Sequence, residues 1–180
     1  MTASAENKQI IQATRHWLEQ FVIKHNFCPF AAKPFREKRI RYASYSVSTE
    51  EELVDRLVEE IILLKDVDPA EIETSIVIAP SILADFLDYN QFLNVVDAII
   101  AELHVDGIIQ VASFHPAYQF VDLAADDVRN YTNRSPYPMF HLIREDSIEQ
   151  ARNMLDTEAI PQRNMALLLE LGIDTINKKG

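Results

Sequence analysis

Apolar residues recur along the chain at two different spacings, and these spacings predict an alternation of helices and strands. Helical spacing marks five segments: Lys8 to His25, the residues after a capping box at Thr49 to Glu52, Phe92 to Leu103, Ser147 to Leu155, and Ile160 to Leu171. Short apolar and β-branched runs mark four strands: Arg39 to Val47, Thr74 to Ala79, Ile108 to Phe114, and Met139 to Ile143. We expect the second strand, which has almost no charged or large polar residues, to be covered on both faces.

The order of these elements is α-β-α-β-α-β-β-α-α. Strands that alternate with helices pair in parallel through right-handed crossovers, and we expect the last strand to run antiparallel to the third. We therefore predict an α/β fold in which a mixed four-stranded sheet has flanking helices, within a single globular domain over residues 1–180. The pattern leaves the direction of the first strand open.

A long polar segment between His115 and Pro138, called the polar loop below, connects the third strand to the fourth. About twenty residues is long for such a connection, and loops of this length are usually functional or disordered. Disordered segments are poor in aromatic residues. The polar loop contains Tyr118, Phe120, Tyr131 and Tyr137. We therefore predict an ordered loop that builds a site.

The polar loop is expected at the edge of the sheet where ligands usually bind. In open α/β sheets this is the edge beyond the carboxyl ends of the parallel strands. His115 follows the third strand at that edge, and an antiparallel fourth strand would begin there too, next to Arg134 and Ser135. If the first strand is parallel to the third, the segment that carries Cys28 instead reaches the opposite edge.

Composition narrows the class of protein. A net charge of −11 argues against a general nucleic-acid binder, because neutralising phosphates requires a basic face. The single cysteine, Cys28, excludes an internal disulfide and a metal cage made of cysteines alone. The first residues lack the features of a secretory signal, and no apolar run approaches the roughly 20 residues of a membrane span. We expect a soluble, cytoplasmic protein that binds neither nucleic acid nor membranes.

Basic residues concentrate in the segment 33–41, where five of them accompany one acid, Glu37, and give a local charge of +4. They are Lys33, Arg36, Lys38, Arg39 and Arg41. Subtracting +4 from −11 leaves −15 for the rest of the chain. Two interpretations are open: a patch that attracts a small anion, or a solvated edge whose charges pair with neighbouring acids.

Several common catalytic motifs are absent from the sequence. With only 3 glycines, the chain contains neither a G-x-G-x-x-G fingerprint nor a Walker phosphate loop. It also lacks H-E-x-x-H, C-x-x-C and G-x-S-x-G. These absences argue against the familiar nucleotide folds, zinc hydrolases, thiol redox proteins and serine hydrolases. No cofactor is indicated.

His115 and Cys28 are the candidate catalytic residues. A neutral imidazole at a strand end can act as a base, an acid or an anion donor, but it can equally cap the strand end against loop carbonyls. Cys28 lies close in sequence to the basic segment, and a nearby cation favours the thiolate form of a nucleophile. The alternative is a small buried hydrophobe between Phe27 and Phe30.

The candidate ligand-binding residues are polar or cationic side chains of the polar loop and the fourth strand: Tyr118, Thr132, Asn133, Arg134, Ser135, His141 and Arg144. Arg134 offers a planar fork for a carboxylate or a phosphate. Asn133 and Ser135 can instead be turn formers that bond their own backbone. His141 alternates with apolar neighbours, so it can also be a half-buried histidine with an internal partner.

The acids of the polar loop and the scattered histidines raise a further possibility. Asp126 and Asp127 can cap a short helix that reaches Tyr131. Together with Cys28, His115 and His141 they are residue types that suit zinc. These residues share no recognisable ligand spacing, so we predict no metal site.

Seven motifs are long enough to compare with known families: Asn26 to Ala31, Gln110 to Pro116, Tyr118 to Phe120, Tyr131 to Pro138, His141-Leu142, Arg144-Glu145 and Arg163-Asn164. In these motifs the chain resembles the uncharacterised bacterial family catalogued as domain of unknown function 1415. The resemblance spans nearly the whole chain and departs at Phe27, where a smaller aliphatic residue is expected. It implies a bacterial cytoplasmic protein but supplies no reaction, cofactor or substrate.

Two functions fit these residues. The first is an enzyme, a hydrolase or group transferase, that acts on a small anionic metabolite with His115 as acid or base and Cys28 as nucleophile. Arg134 and Arg144 would then clamp the anion. The second is a non-catalytic module that binds a small anion or a regulatory partner. A Cys28 sulfur beside an imidazole nitrogen would favour the enzyme.

Overall fold

The computed structural model of the protein describes residues 2–152 and 159–172. One mixed sheet contains the strands β1 (Ile40–Ser44), β2 (Thr74–Ile78), β3 (Ile109–Phe114) and β4 (Met139–Arg144). The helices are α1 (Thr2–Trp17), which continues as a π-helical turn (Leu18–Ile23), α2 (Ala32–Arg36), α3 (Glu50–Asp66), α4 (Phe86–Glu102), α5 (Glu145–Arg152) and α6 (Ile160–Leu171). A 3-10 helix (Val128–Thr132) lies in the polar loop. The predicted α/β fold, with a mixed four-stranded sheet and flanking helices, is confirmed.

The strand directions place the polar loop and Cys28 at different edges of the sheet. The spatial order is β1-β2-β4-β3, with β1 parallel to β2 and β4 antiparallel to both β2 and β3. The strands β1, β2 and β3 therefore point the same way. Ile78 and Phe114, which end β2 and β3, both pair with Met139 at the start of β4. The polar loop thus lies at the carboxyl edge, whereas the segment after Cys28 enters β1 at the amino edge.

A separate apolar cluster covers each face of the sheet, because successive strand residues point to opposite sides. On one face, α3 and α4 pack against Val77 and Phe140. On the other face, α1, the π-helical turn and α6 pack against Ile76 and Met139. Every residue of β2 is buried, which confirms that this strand is covered on both sides.

Side-chain caps fix the starts of α3 and α4 by satisfying amides that have no partner inside the helix. The Glu52 N–H donates to Thr49 Oγ1 at 3.2 Å, and the Ser48 N–H donates to Glu52 Oε2 at 2.8 Å. The predicted capping box is therefore present, with the return bond made to Ser48 instead of Thr49. At α4, the Leu87 N–H donates to Asp85 Oδ1 at 2.8 Å.

Several helix boundaries differ from the predicted ones. Helix α1 begins at Thr2 instead of Lys8, and the short α2 occupies a stretch that was expected to be loop. The helix predicted from Ser147 begins at Glu145, and its predicted residues 153–155 lie outside the described ranges. None of the helices in the described part of the chain is both long enough and apolar enough to cross a membrane.

Candidate functional site

The polar loop is held in one conformation by its own hydrogen bonds, and Asn130 is its centre. This side chain is fully buried, although it is an amide with donors and acceptors to satisfy. The Phe120 N–H donates to Asn130 Oδ1 at 3.0 Å, and Asn130 Nδ2 donates to the Ala124 carbonyl at 2.8 Å. Asp127 caps the 3-10 helix by accepting from the Arg129 N–H at 2.9 Å. The loop is therefore ordered, as its aromatic content predicted.

The Arg134 guanidinium, the predicted anion clamp, binds the backbone of its own loop. Arg134 Nε donates to the Tyr118 carbonyl at 3.1 Å, and Nη2 donates to the Ala125 carbonyl at 2.5 Å. Its central carbon lies 4.8 Å from the centroid of the Tyr131 ring. The planar fork therefore ties two parts of the loop together, and a ligand would have to displace these contacts.

The side chains next to Arg134 in sequence also donate hydrogen bonds to backbone carbonyls. Asn133 Nδ2 donates to the Ser113 carbonyl at 3.0 Å, and Thr132 Oγ1 donates to the Arg129 carbonyl at 2.8 Å. Ser135 Oγ donates to the Tyr137 carbonyl at 2.6 Å. These side chains form turns and strap the loop to the end of β3. Their predicted role in ligand binding stays a prediction.

His115 is fully buried and both of its ring nitrogens have partners. The Ala117 N–H donates to Nδ1 at 3.0 Å, so the ring proton lies on Nε2, which donates to the Leu83 carbonyl at 3.0 Å. The ring also packs against Phe86 and Tyr89 of α4, with centroids 5.4 and 5.0 Å away. Burial lowers the pKa of the imidazole, which keeps it neutral. Its role as an acid or base stays a prediction.

His141 lies on the opposite face of the sheet from His115. Thr74 Oγ1 uses its single proton on the Leu142 carbonyl at 2.6 Å, so His141 Nε2 is the donor in its 2.7 Å contact with Thr74 Oγ1. The ring packs near Phe114. Burial lowers the pKa of His141 to about 4. The structure therefore does not bring the two histidines together.

Arg144 lies at the far end of β4 from the polar loop. Met139 and Arg144 are the first and last of the six residues of β4, so five rises of the strand, about 17 Å, separate them. Arg144 Nη2 donates to the carbonyls of Val67 and Ile72 at 2.7 and 3.2 Å. Arg134 and Arg144 therefore stand at opposite edges of the sheet and do not form one clamp.

Cys28 packs into the apolar cluster beneath α1. Burial raises the pKa of its thiol, although the backbone amides of Phe30 and Ala31 bond to the sulfur and partly oppose that rise. No hydrogen bond joins Cys28 to a histidine anywhere in residues 2–152 and 159–172. Over the same residues, no three His, Cys, Asp or Glu side chains are grouped so that they could hold a metal ion. The geometry that would favour a cysteine nucleophile is not seen in this part of the chain.

Two members of the basic segment are paired with acids. Arg39 forms ion pairs with Glu37 and Glu73. Arg41 binds Glu60 through two nitrogens at 2.7 and 2.8 Å, and the carboxylate of Glu60 is almost completely buried. For these two arginines the second interpretation, a charge run paired with neighbouring acids, is the one that the contacts support.

The other three members, Lys33, Arg36 and Lys38, are exposed, and no acid forms an ion pair with them within the described ranges. Lys38 lines a cavity of about 220 Å³ between α1, α2 and β1. We call this cavity the basic pocket; its lining residues are Arg15, Phe35, Lys38, Ile40 and Tyr42. The basic pocket therefore presents two cations and two aromatic rings.

Arg15 and Tyr42 contribute a second cation and an aromatic ring to the lining of the basic pocket. The guanidinium carbon of Arg15 lies 5.4 Å from the centroid of Tyr42 and 5.8 Å from that of Phe35. No acid pairs with Arg15 among the residues that the structure describes. The Tyr42 hydroxyl is buried and has no hydrogen-bond partner in the same residues. Burial raises the pKa of Tyr42 to about 12, so the hydroxyl keeps its proton.

Sequence reasoning identified the basic segment but not this pocket. Lys38 belongs to the segment for which anion attraction was one of two open interpretations. Arg15 lies on the first helix, 27 positions before Tyr42 in the chain, and no motif connects the two. Only the packing of α1 across the start of β1 brings them together.

A family model described as "Protein of unknown function (DUF1415)" matches residues 9–178 of the 180-residue chain. Because the match covers nearly all of the chain, the protein belongs to this family, and the resemblance found in its motifs is confirmed. No curated protein and no solved structure matches the chain. The description of the family names no activity, so a proposal about function has to depend on the geometry of the site.

Proposed function

We propose that this member of the DUF1415 family binds a small anionic metabolite in the basic pocket and that it does so without catalysing a reaction. One observation carries the proposal. Arg15 and Lys38, which no acid pairs within the described residues, both line one cavity of about 220 Å³. This is the non-catalytic alternative that the sequence left open, located at the basic segment instead of the polar loop.

Electrostatics favours an anion at this position. Two like charges that line one cavity repel each other, and a bound anion converts that repulsion into two attractive contacts. The guanidinium of Arg15 offers a planar fork of donors, and the ammonium of Lys38 adds a compact charge. Carboxylates and phosphates accept hydrogen bonds from both groups. The surrounding charge of −15 on the rest of the chain would repel an anion from most other surfaces.

The size and lining of the cavity restrict the ligand further. Pockets for drug-sized ligands usually measure about 300–1,000 Å³, so about 220 Å³ suits a smaller molecule. The rings of Phe35 and Tyr42 line the cavity and supply an apolar surface. We infer a compact anion that also carries a short apolar or planar part.

A second cavity, of about 320 Å³, lies against α6 and supports this function less well. Its lining includes His25, Asn26, Arg163 and Glu170. Arg163 already donates to the Asn26 carbonyl and to Asn164 Oδ1. Glu170 would repel an anion. The basic pocket has no acidic residue in its lining.

Thermal unfolding with a panel of anions tests the proposed function. The probes are inorganic phosphate, pyrophosphate, malonate, citrate and benzoate, each added to the full chain at constant ionic strength. At a concentration 100 times its Kd, a ligand stabilises the folded state by about 2.7 kcal/mol. We expect at least one probe to raise the melting temperature of the wild type and to lose this effect in Arg15→Gln and Lys38→Gln.

Lys8→Gln is the matched control, because Lys8 is an exposed cation on the same helix as Arg15. It removes one positive charge without touching the basic pocket. The proposal would be wrong if no probe stabilised the wild type, or if Lys8→Gln reduced the effect as much as Arg15→Gln. In the second case the protein would attract anions only through its general surface charge.

A further inference from the structure

Beside the polar loop, the carboxyl edge of the sheet carries an exposed apolar surface that the proposed function does not use. We call it the aromatic edge surface and define it by five residues: Phe86, Leu87, Tyr118, Phe120 and Val121. The Val121 side chain is 99% exposed and that of Leu87 is 68% exposed. Leu87 and Val121 are the sequence neighbours of Phe86 and Phe120, whose rings both pack against Tyr118, so these residues form one candidate binding surface.

The aromatic rings of this surface form a contiguous series. The centroids of Phe86 and Tyr118 lie 5.1 Å apart, and those of Tyr118 and Phe120 lie 5.0 Å apart. Each of the three rings is partly exposed. Partly exposed Tyr and Phe side chains are enriched where proteins bind other proteins, because they bury a large area and lose little rotamer freedom.

The polar loop holds this surface in place before any partner binds. The carbonyl of Tyr118 accepts from Arg134 Nε, and the N–H of Phe120 donates to the buried Asn130. A surface that is already ordered avoids much of the entropy loss of association. The hydrogen bonds within the polar loop therefore position the rings of Tyr118 and Phe120.

Acidic side chains border the aromatic edge surface. Asp85 and Asp88 flank Phe86 and Leu87 in sequence, and Asp122 follows Val121; all three acids are exposed. None of the three forms an ion pair within the residues that the structure describes. This border repels nucleic acid and anionic membranes. It would also repel a second copy of the chain, which carries a net charge of −11.

We propose that the aromatic edge surface is the docking site for a segment of a partner protein in which apolar side chains are flanked by Lys or Arg. The apolar side chains cover Phe86, Tyr118 and Val121, and the basic ones pair with the acidic border. The proposal goes beyond anion binding and does not depend on it, since the basic pocket lies at the amino edge of β1.

Selection from a displayed library of random peptides tests this docking site directly. The full chain is immobilised, bound peptides are sequenced, and the affinities of enriched peptides are measured by titration calorimetry. We expect enriched sequences that combine apolar residues with Lys or Arg. We also expect binding to weaken between about 0.05 M and about 0.5 M salt, because the charge pairs at the border are exposed.

Paired variants locate the binding surface. The double variant Leu87→Ser, Val121→Ser should weaken the enriched peptides at least about tenfold, as is usual when central contacts are lost. The matched control is Ile62→Ser, Leu169→Ser, which changes two side chains that are 43% and 60% exposed elsewhere. Both double variants should keep the wild-type melting temperature, so that a loss of binding cannot come from unfolding.

Three results would overturn the proposal. One is enrichment of peptides without basic residues, or no enrichment at all. Another is equal binding of the enriched peptides to both double variants. The third is self-association of the wild type in sedimentation experiments that the Leu87→Ser, Val121→Ser variant abolishes, because the occupant would then be a second copy of the chain.

Discussion

The polar loop and the basic pocket both attract attention by their polar side chains, yet they differ in whether those side chains have partners. In the loop, Asn130, Asn133 and Arg134 all bind backbone atoms of the chain itself. In the pocket, Arg15 and Lys38 have no acidic partner across residues 2–152 and 159–172. A dense group of polar residues can therefore be engaged in internal hydrogen bonds. A better sign of a site is a group that stays without a partner after folding.

Replacing His115 tests whether the polar side chains at the polar loop stabilise the fold through their internal partners. This substitution should have the largest effect on stability. His115→Ala leaves the Ala117 N–H and the Leu83 carbonyl without partners and opens a small cavity, so we expect a loss of about 3 kcal/mol in unfolding free energy. Urea unfolding, followed by the fluorescence of Trp17, measures it. His16→Ala, which removes an exposed imidazole from α1, is the control. A loss below about 1 kcal/mol for His115→Ala would contradict a scaffold role.

The pH dependence of stability extends the same test to His141, because its imidazole is also held inside the protein. Its pKa of about 4 lies below the ordinary value of 6.5, so the unfolded chain binds a proton more readily than the folded chain between these values. Stability is therefore complete above about pH 6.5 and falls as the pH drops towards about 4. The full effect is at most about 3 kcal/mol.

The substitution His141→Gln separates the contribution of His141 to the pH dependence of stability from that of the carboxylates. His141→Gln keeps a donor for Thr74 Oγ1 but cannot take up a proton in this range. Its stability should change less between about pH 6.5 and about pH 4 than that of the wild type. Identical pH profiles would show that His141 does not control acid unfolding. Urea midpoints collected at several pH values give the comparison.

The smallest effect on stability, and the clearest difference between the two regions, is expected when Arg134 of the polar loop and Arg15 of the basic pocket are each replaced by Gln. Arg134→Gln removes two bonds to carbonyls and a ring contact, and should cost about 1–2 kcal/mol without changing anion binding. Arg15→Gln loses its contacts with the rings of Phe35 and Tyr42, so it should cost about 1 kcal/mol, but it should also abolish anion binding. Calorimetric titration and urea unfolding of both variants measure the two quantities. The opposite result would move the binding site to the polar loop.

Much of the fold followed from local pattern. The four strands and the capped start of the helix at Glu50 lie close to the predicted positions because alternating burial and side-chain capping depend on residues a few positions apart. Helix α2 was missed because its five residues include a proline and show no apolar stripe. The direction of β1 could not be read from the sequence, because its pairing with β2 sets it, and the paired residues Ile40 and Thr74 lie 34 positions apart.

The candidate site was harder to predict than the fold. Residue types correctly marked the polar loop as ordered and marked Lys38 as part of a basic segment. The same residue types gave no sign that Arg134 would bind Tyr118 and Ala125, or that Arg41 would pair with Glu60. The catalytic roles assigned to His115 and Cys28 stay predictions.

The amino-acid sequence by itself determined the family, the alternation of helices and strands, and the positions where charge and hydrogen-bonding groups are dense. These properties depend on short stretches of chain. The tertiary structure alone decided which of those groups have partners, because the carbonyl of Leu83 meets His115, and the ring of Tyr42 meets Arg15, only after the helices pack on the sheet. An unpaired cation becomes recognisable as a candidate for ligand binding only when the folded chain has brought every other possible partner to its final place.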